Sequence, residues 1–123
     1  MANPNIVSVA RILANTVTGS ITTSNTVFHT NPASSGSVHK INSVIVANID
    51  GSANADFDLI LNNAGSNTFL VKTVVVPADA TLVAFDKNSS FYLLENSTIG
   101  GAASANNDLQ FTISLEQIYE YFN

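Results

Sequence analysis

Leu109-Gln110-Phe111-Thr112-Ile113-Ser114-Leu115 alternates apolar and polar residues without a break. Successive side chains of a β-strand point to opposite faces. This spacing therefore gives Leu109, Phe111, Ile113 and Leu115 to a core and leaves the residues between them to water. The same reading applies to Phe57-Asp58-Leu59-Ile60-Leu61, with Phe57, Leu59 and Leu61 on the dry face and Asp56 and Asp58 on the wet one. The fold class is set by these two stretches, and neither carries chemistry.

Outward from them, the chain reads as strands punctuated by turn residues. An opening strand is expected over residues 6–13, running on to 17, and a weaker one over 21–30. Residues 31–37 hold Pro32, Gly36 and three serines, a loop composition. Residues 38–49 form the strongest strand, and Val44-Ile45-Val46, apolar on both faces, places it centrally. Asp50-Gly51 is a hairpin signal, residues 62–67 are a second turn, and Pro77 ends a strand over 68–76. Short strands follow over 81–85, 91–94 and 98–103, where Gly100-Gly101 marks a bulge or a close approach by another backbone. Ser114-Leu115-Glu116-Gln117 has capping-box spacing, but the residues after it are too few for a stable isolated helix. A short turn or an extended tail is expected there. Eight or nine short strands without helical periodicity predict an all-β antiparallel sandwich, jelly-roll-like, or else a small barrel.

At 123 residues, one domain spanning 1–123 is expected, with terminal arms at 1–5 and 116–123. A chain that is 46% hydrophobic and only 11% charged is not disordered; about a third of it is Asn, Ser and Thr. Having no Cys, it is not disulfide-stapled, which fits synthesis in a bacterial cytoplasm. Arg11, Lys40, Lys72 and Lys87 lie scattered in a chain of net charge −5, which argues against nucleic-acid binding. There is no apolar run long enough for a membrane helix, and the N-terminus lacks the basic start of a signal peptide. A soluble, unexported product with no membrane partner is expected.

Candidate chemistry is sparse. Ser34, Ser35 and His39 lie close together, and Asp50 completes a triad on paper, but neither serine sits in a nucleophile elbow. His29 and His39 read as ordinary histidines. Asp50, Asn54, Asp56 and Asp58 do not match the EF-hand spacing. Asp56 and Asp58 share a strand face ~6.6 Å apart, where a calcium ion could bridge them, although solvated acids guarding a strand are the plainer account. Asp79, Asp86, Glu95 and Asp108 fall in turns, and turn chemistry explains them. No catalytic, cofactor-binding or metal-binding residue is assigned, and no cofactor is expected. Ile118-Tyr119-Glu120-Tyr121-Phe122 is the most suggestive local feature, because aromatic rings at a chain end need a surface to cover them. That surface is either this domain or a partner.

Four stretches carry a family resemblance. They are Met1-Ala2-Asn3-Pro4-Asn5-Ile6-Val7, Lys40-Ile41-Asn42-Ser43-Val44-Ile45-Val46-Ala47-Asn48-Ile49-Asp50-Gly51, Pro77-Ala78-Asp79-Ala80-Thr81-Leu82-Val83 and Ala103-Ser104-Ala105-Asn106-Asn107-Asp108-Leu109. In these the chain resembles small virion proteins of tailed phages, particularly those of marine bacteria. Glu95-Asn96-Ser97-Thr98-Ile99-Gly100-Gly101 departs from that pattern. The resemblance implies a non-enzymatic virion structural protein, a capsid decoration or cement protein on the capsid exterior. It would bridge the major capsid protein or other virion proteins as a homo-oligomer, such as a trimer. The expected partner contacts are Asn3, Pro4, Tyr119, Tyr121 and Phe122. A neck, tail or fibre component with a carbohydrate-binding tip is the alternative. A small enzyme or metal-dependent lectin centred on Asp56 and Asp58 is a third class.

Overall fold

Where alternating or β-branched residues run together, strands form. The computed structural model describes residues 11–119. Nine strands lie within them: β1 (Arg11–Ser20), β2 (Thr26–Asn31), β3 (Ser37–Asn48), β4 (Ala55–Asn63), β5 (Ser66–Val76), β6 (Thr81–Phe85), β7 (Phe91–Leu93), β8 (Ser97–Ala103) and β9 (Leu109–Tyr119). One sheet has the order β1-β9-β3-β6, with β7 also on β3. The other has the order β2-β8-β4-β5. The protein is an all-β sandwich of two antiparallel sheets.

The pairings nest around the β4–β5 turn. Moving outward from it, β4 pairs with β5, β3 with β6 and β7, β2 with β8, and β1 with β9. The chain is thus one long antiparallel hairpin rolled over on itself, and the pairs β3·β9 and β4·β8 close the roll. At the hairpin tip Ala64 and Gly65 have φ of 52° and 95°. Positive φ at both central residues matches the right-handed twist of the flanking strands.

Each inward face packs on the other. Leu109, Phe111, Ile113 and Leu115 of β9 face Phe28 of β2 and Phe57 and Leu59 of β4, all in one buried cluster. The Phe28 and Phe111 rings stack across the gap with centroids 4.1 Å apart. In β8 a Cβ at Gly100 would fall on the Thr26 carbonyl, and one at Gly101 on the Asp58 carbonyl. Both glycines are therefore required by the close approach of β2 and β4, as the sequence suggested, and β2 carries a register shift between Val27 and His29 beside them.

Three local expectations are corrected. Asp50-Gly51 does not open a hairpin, because β3 and β4 belong to different sheets. The buried Asn48 turns the chain across instead, its Nδ2 donating to the Ala53 and Val76 carbonyls at 3.0 and 2.9 Å. The last strand continues past Leu115 to Tyr119, so residues 116–119 are neither tail nor turn. Alternation lapses at Glu116-Gln117, but β1 and β3 offer backbone partners on both sides through Tyr119, and that ladder outweighs the local pattern. Ile21, expected within a strand, is a buried residue of the connection between β1 and β2, its backbone bonded to Leu109 and Asn107. Residues 6–10 of the expected opening strand lie outside the described residues.

Candidate functional site

At one end of the sandwich, polar side chains from both sheets meet in the interior. His29 and Asn31 lie two apart on β2 and so share its inward face; Ser37 and His39 do the same on β3. Asn31 and Ser37 are fully buried and His39 is 3% exposed. Buried polar groups are costly unless hydrogen-bonded. Here they form one continuous chain.

Its direction can be worked out from the contacts. The Asn31 Nδ2 donates to the carbonyls of Ser37 and Leu93, both at 3.0 Å, so the Asn31 Oδ1 is an acceptor. Ser35 Oγ donates to it at 2.6 Å, which uses that hydroxyl's only proton. The 2.8 Å contact between the Ser35 and Ser37 hydroxyls then requires the Ser37 proton. Ser37 Oγ is left to accept from His39 Nε2–H at 3.1 Å. With its proton on Nε2, His39 accepts at Nδ1 from His29 Nε2–H at 2.8 Å. The tautomers follow from the network. Burial and the neighbouring His29 push the His39 pKa down to about 4, and burial lowers that of His29.

This geometry resembles a nucleophile, a base and an orienting group, but the proton order is wrong for catalysis. A serine nucleophile must give its proton to the histidine, and His39 Nε2 already holds one. Ser37 has no exposed surface. The triad drawn from sequence is not assembled either. Asp50 follows the far end of the twelve-residue β3, roughly 30 Å from His39 at the usual rise per residue. It caps its own turn, accepting from the backbone N–H groups of Ser52 and Ala53, and these bonds hold its carboxyl below the ordinary value. Ser34 is a left-handed loop residue with φ of 60°.

Asp56 and Asp58 do share the outer face of β4, beside Thr23, Thr73 and Ser104. Asp58 is engaged there: its Oδ1 accepts from the Thr73 N–H at 2.7 Å and its Oδ2 lies 3.9 Å from Lys72 Nζ. Thr73 has φ of 50°, an unusual value for a β-branched residue, at a register shift between β4 and β5. Asp58 thus fixes a bulge. Asn54 accepts from the Ala78 N–H and is likewise a turn residue. Among the described residues, no three His, Asp or Glu side chains are grouped to hold a metal ion.

Of the expected partner contacts, Tyr119 ends β9, half-buried, with the Arg11 guanidinium 4.4 Å from its ring centroid. Asn3, Pro4, Tyr121 and Phe122 lie outside the described residues. Tyr119 pairs with Arg11 on one side and Ser37 on the other, so the described chain begins and ends beside the polar cluster. In the next row of that sheet, Val38 and Ile118 are buried and Ile12 is 52% exposed. Asn31 and Ser37 were missed from sequence. The signal was there in the mirrored His29-Thr30-Asn31 and Ser37-Val38-His39, polar at period two on either side of a loop.

No family model matches the sequence, and no curated protein matches it. Among solved structures, two crystal structures of a pentameric capsid protein isolated from metagenomic phage sequences are similar, each with 12% identity and a TM-score of 0.41. The alignments cover 85% of this chain and 62% and 60% of those chains, so the chain spans less than two thirds of their length. So loose an overlap leaves function to be argued from the molecule. Among the described residues, no helix is long and apolar enough to cross a membrane.

Proposed function

We propose that this is a virion structural protein that works by binding: a capsid decoration or cement protein bridging neighbouring subunits of the phage head as a homo-oligomer. The observation that carries the reading is the shared end of the sandwich. β1 and β9 pair along their whole length, and at this end the pair presents Tyr119 under Arg11 and the exposed Ile12 and Leu13. Aromatic, arginine and exposed aliphatic groups at one place are the composition of an interface. The nested pairings support a jelly-roll order, with β1-β9-β3-β6 facing β2-β8-β4-β5, a rigid architecture shared by capsid and lectin domains. The sequence resemblance supplies the virion.

In this reading the domain spans the chain, and the arms are residues 1–5 and 120–123, the second shortened because Glu116 to Tyr119 belongs to β9. Asn3, Pro4, Tyr119, Tyr121 and Phe122 touch the neighbouring subunit, and many weak identical contacts add through symmetry. Quantifying the protein in purified particles tests this. Tens to hundreds of copies per particle are expected, and absence from particles overturns the proposal.

A fibre or neck component is the second reading, favoured by the outer face of the other sheet. There Val27 and Ile60 flank Gly100, the half-exposed Phe69 lies beyond Ile60, and Asn62, Asn67 and Thr98 lie alongside, a mixed surface on which a sugar ring can stack. Roughly a dozen copies per particle, together with glycan binding by the purified chain, would select it.

A further inference from the structure

We infer that His29 and His39 form a proton-operated clasp between the two sheets, which holds with no added proton or with one and parts when a second arrives. The inference rests on the geometry of the polar cluster and stands whether or not the protein belongs to a virion.

His29 is on β2 and His39 on β3, so their 2.8 Å contact joins one sheet to the other. In the neutral state each nitrogen of His39 is committed, Nε2–H to Ser37 and Nδ1 to His29. His29 Nδ1 takes part in none of these bonds, and His29 is only half-buried, so water reaches the ring. One proton placed on His29 Nδ1 leaves the bridge in place and makes it charge-assisted. The second proton has only His39 Nδ1 to occupy. That would set N–H against N–H and cation against cation across 2.8 Å, which no rotation of the fixed His39 ring relieves.

The two strands do not resist equally. β3 is hydrogen-bonded on both sides, to β9 and to β7 and β6. Among the described residues β2 is an edge strand paired only with β8, and its register shift falls between Val27 and His29, beside the histidine itself. β2 is therefore the strand that yields, carrying with it residues 32–36, where Ser34 and Gly36 have positive φ and the Gly36 N–H bonds to Glu95. The residues paired with the two histidines do not titrate: Gln117 and Leu93 are opposite His39, and Ile99 is opposite His29. The charged and titratable groups on elements packed at this end are Glu95 after β7, Arg11 and Tyr119 opposite Ser37, and the cross-strand pair Lys40 and Glu116. Among the described residues, none of them is hydrogen-bonded to either ring. Because Ser37, Arg11 and Tyr119 lie in one row, opening β2 loosens the base from which both chain ends continue.

The test uses the full chain. Ring nitrogen NMR at about pH 7.5 should show the Nε2–H tautomer for both histidines. Amide exchange in residues 27–31, corrected for intrinsic rates, should then lose about tenfold or more of its protection as pH falls toward 4, with a proton order between one and two. His29→Gln keeps a donor to His39 and, by turning its amide, becomes an acceptor once His39 is charged. It should hold β2 protection across the same range. The proposal is overturned if both rings become imidazolium while β2 stays protected, if His39 carries its neutral proton on Nδ1, or if His29→Gln loses protection as the parent does. Should that variant not fold, the ring shifts and exchange of the parent chain decide the matter alone.

Discussion

The two ends of the sandwich are built on the same device and differ in what it leads to. Each holds a buried asparagine whose amide donates to two backbone carbonyls: Asn31 to Ser37 and Leu93, Asn48 to Ala53 and Val76. At the Asn48 end the side-chain oxygen accepts from the Asp50 N–H, and the network ends in backbone. At the Asn31 end the oxygen leads through two serines into two histidines. One end is a pH-insensitive staple and the other can be undone by protons.

The largest effect should come from the strand that both ends lean on. Gly100→Ala sets a methyl on the Thr26 carbonyl and should cost about 4 kcal/mol or more, or strip β2 from its sheet. Denaturant unfolding together with β2 amide exchange would distinguish these. Next, Asn31→Ala and Asn48→Ala should each cost roughly 3 kcal/mol, because each strands two buried carbonyls. They separate in acid: the Asn48 variant should keep the parent's pH dependence, and the Asn31 variant should change it.

The parent's own pH dependence comes third. An unfolded histidine takes its proton near 6.5, and folded His39 resists until about 4. Between those values the unfolded chain binds more protons, so stability falls as pH drops below 6.5 and levels off near 4. His39 accounts for roughly 3 kcal/mol of that loss at most, and His29, also lowered by burial, adds to it in the same direction. His39→Gln should flatten that slope in a stability-against-pH series. The smallest effect is expected at Asp50. Its lowered pKa means that its contribution is fully present at pH 5 to 8 and lost only as pH falls below the ordinary 3.8. Asp50→Asn, whose Oδ1 still accepts from Ser52 and Ala53, should therefore lower Tm slightly and by the same amount across pH 5 to 8, and flatten the curve below 3.8.

Most of the sheet architecture was legible because burial on one face imposes period two, and turn residues mark the ends. Phe57, Leu59, Leu109, Phe111, Ile113 and Leu115 are buried as read, and β6 starts and ends where expected. What misled were places where distant residues override local ones. Asp50-Gly51 has hairpin composition, yet Asn48 bonds to Val76 on the other sheet and pulls the chain across. Glu116-Gln117 breaks the alternation, yet two neighbouring ladders carry β9 through it. The polar cluster was half legible. His29 and His39 stood out as histidines, but that they touch depends on β2 and β3 facing each other from separate sheets. Asn31 and Ser37 were hidden among many asparagines and serines.

The central claim is that this sandwich acts by contact, through the end where Arg11 and Tyr119 pair. Imaging purified particles by electron microscopy, at a resolution that orients the subunit, tests it directly. The account predicts the Arg11–Tyr119 end seated against the neighbouring shell protein and the Asn48 end turned away. A subunit attached through the Asn48 end, with Arg11 and Tyr119 facing solvent, would contradict it.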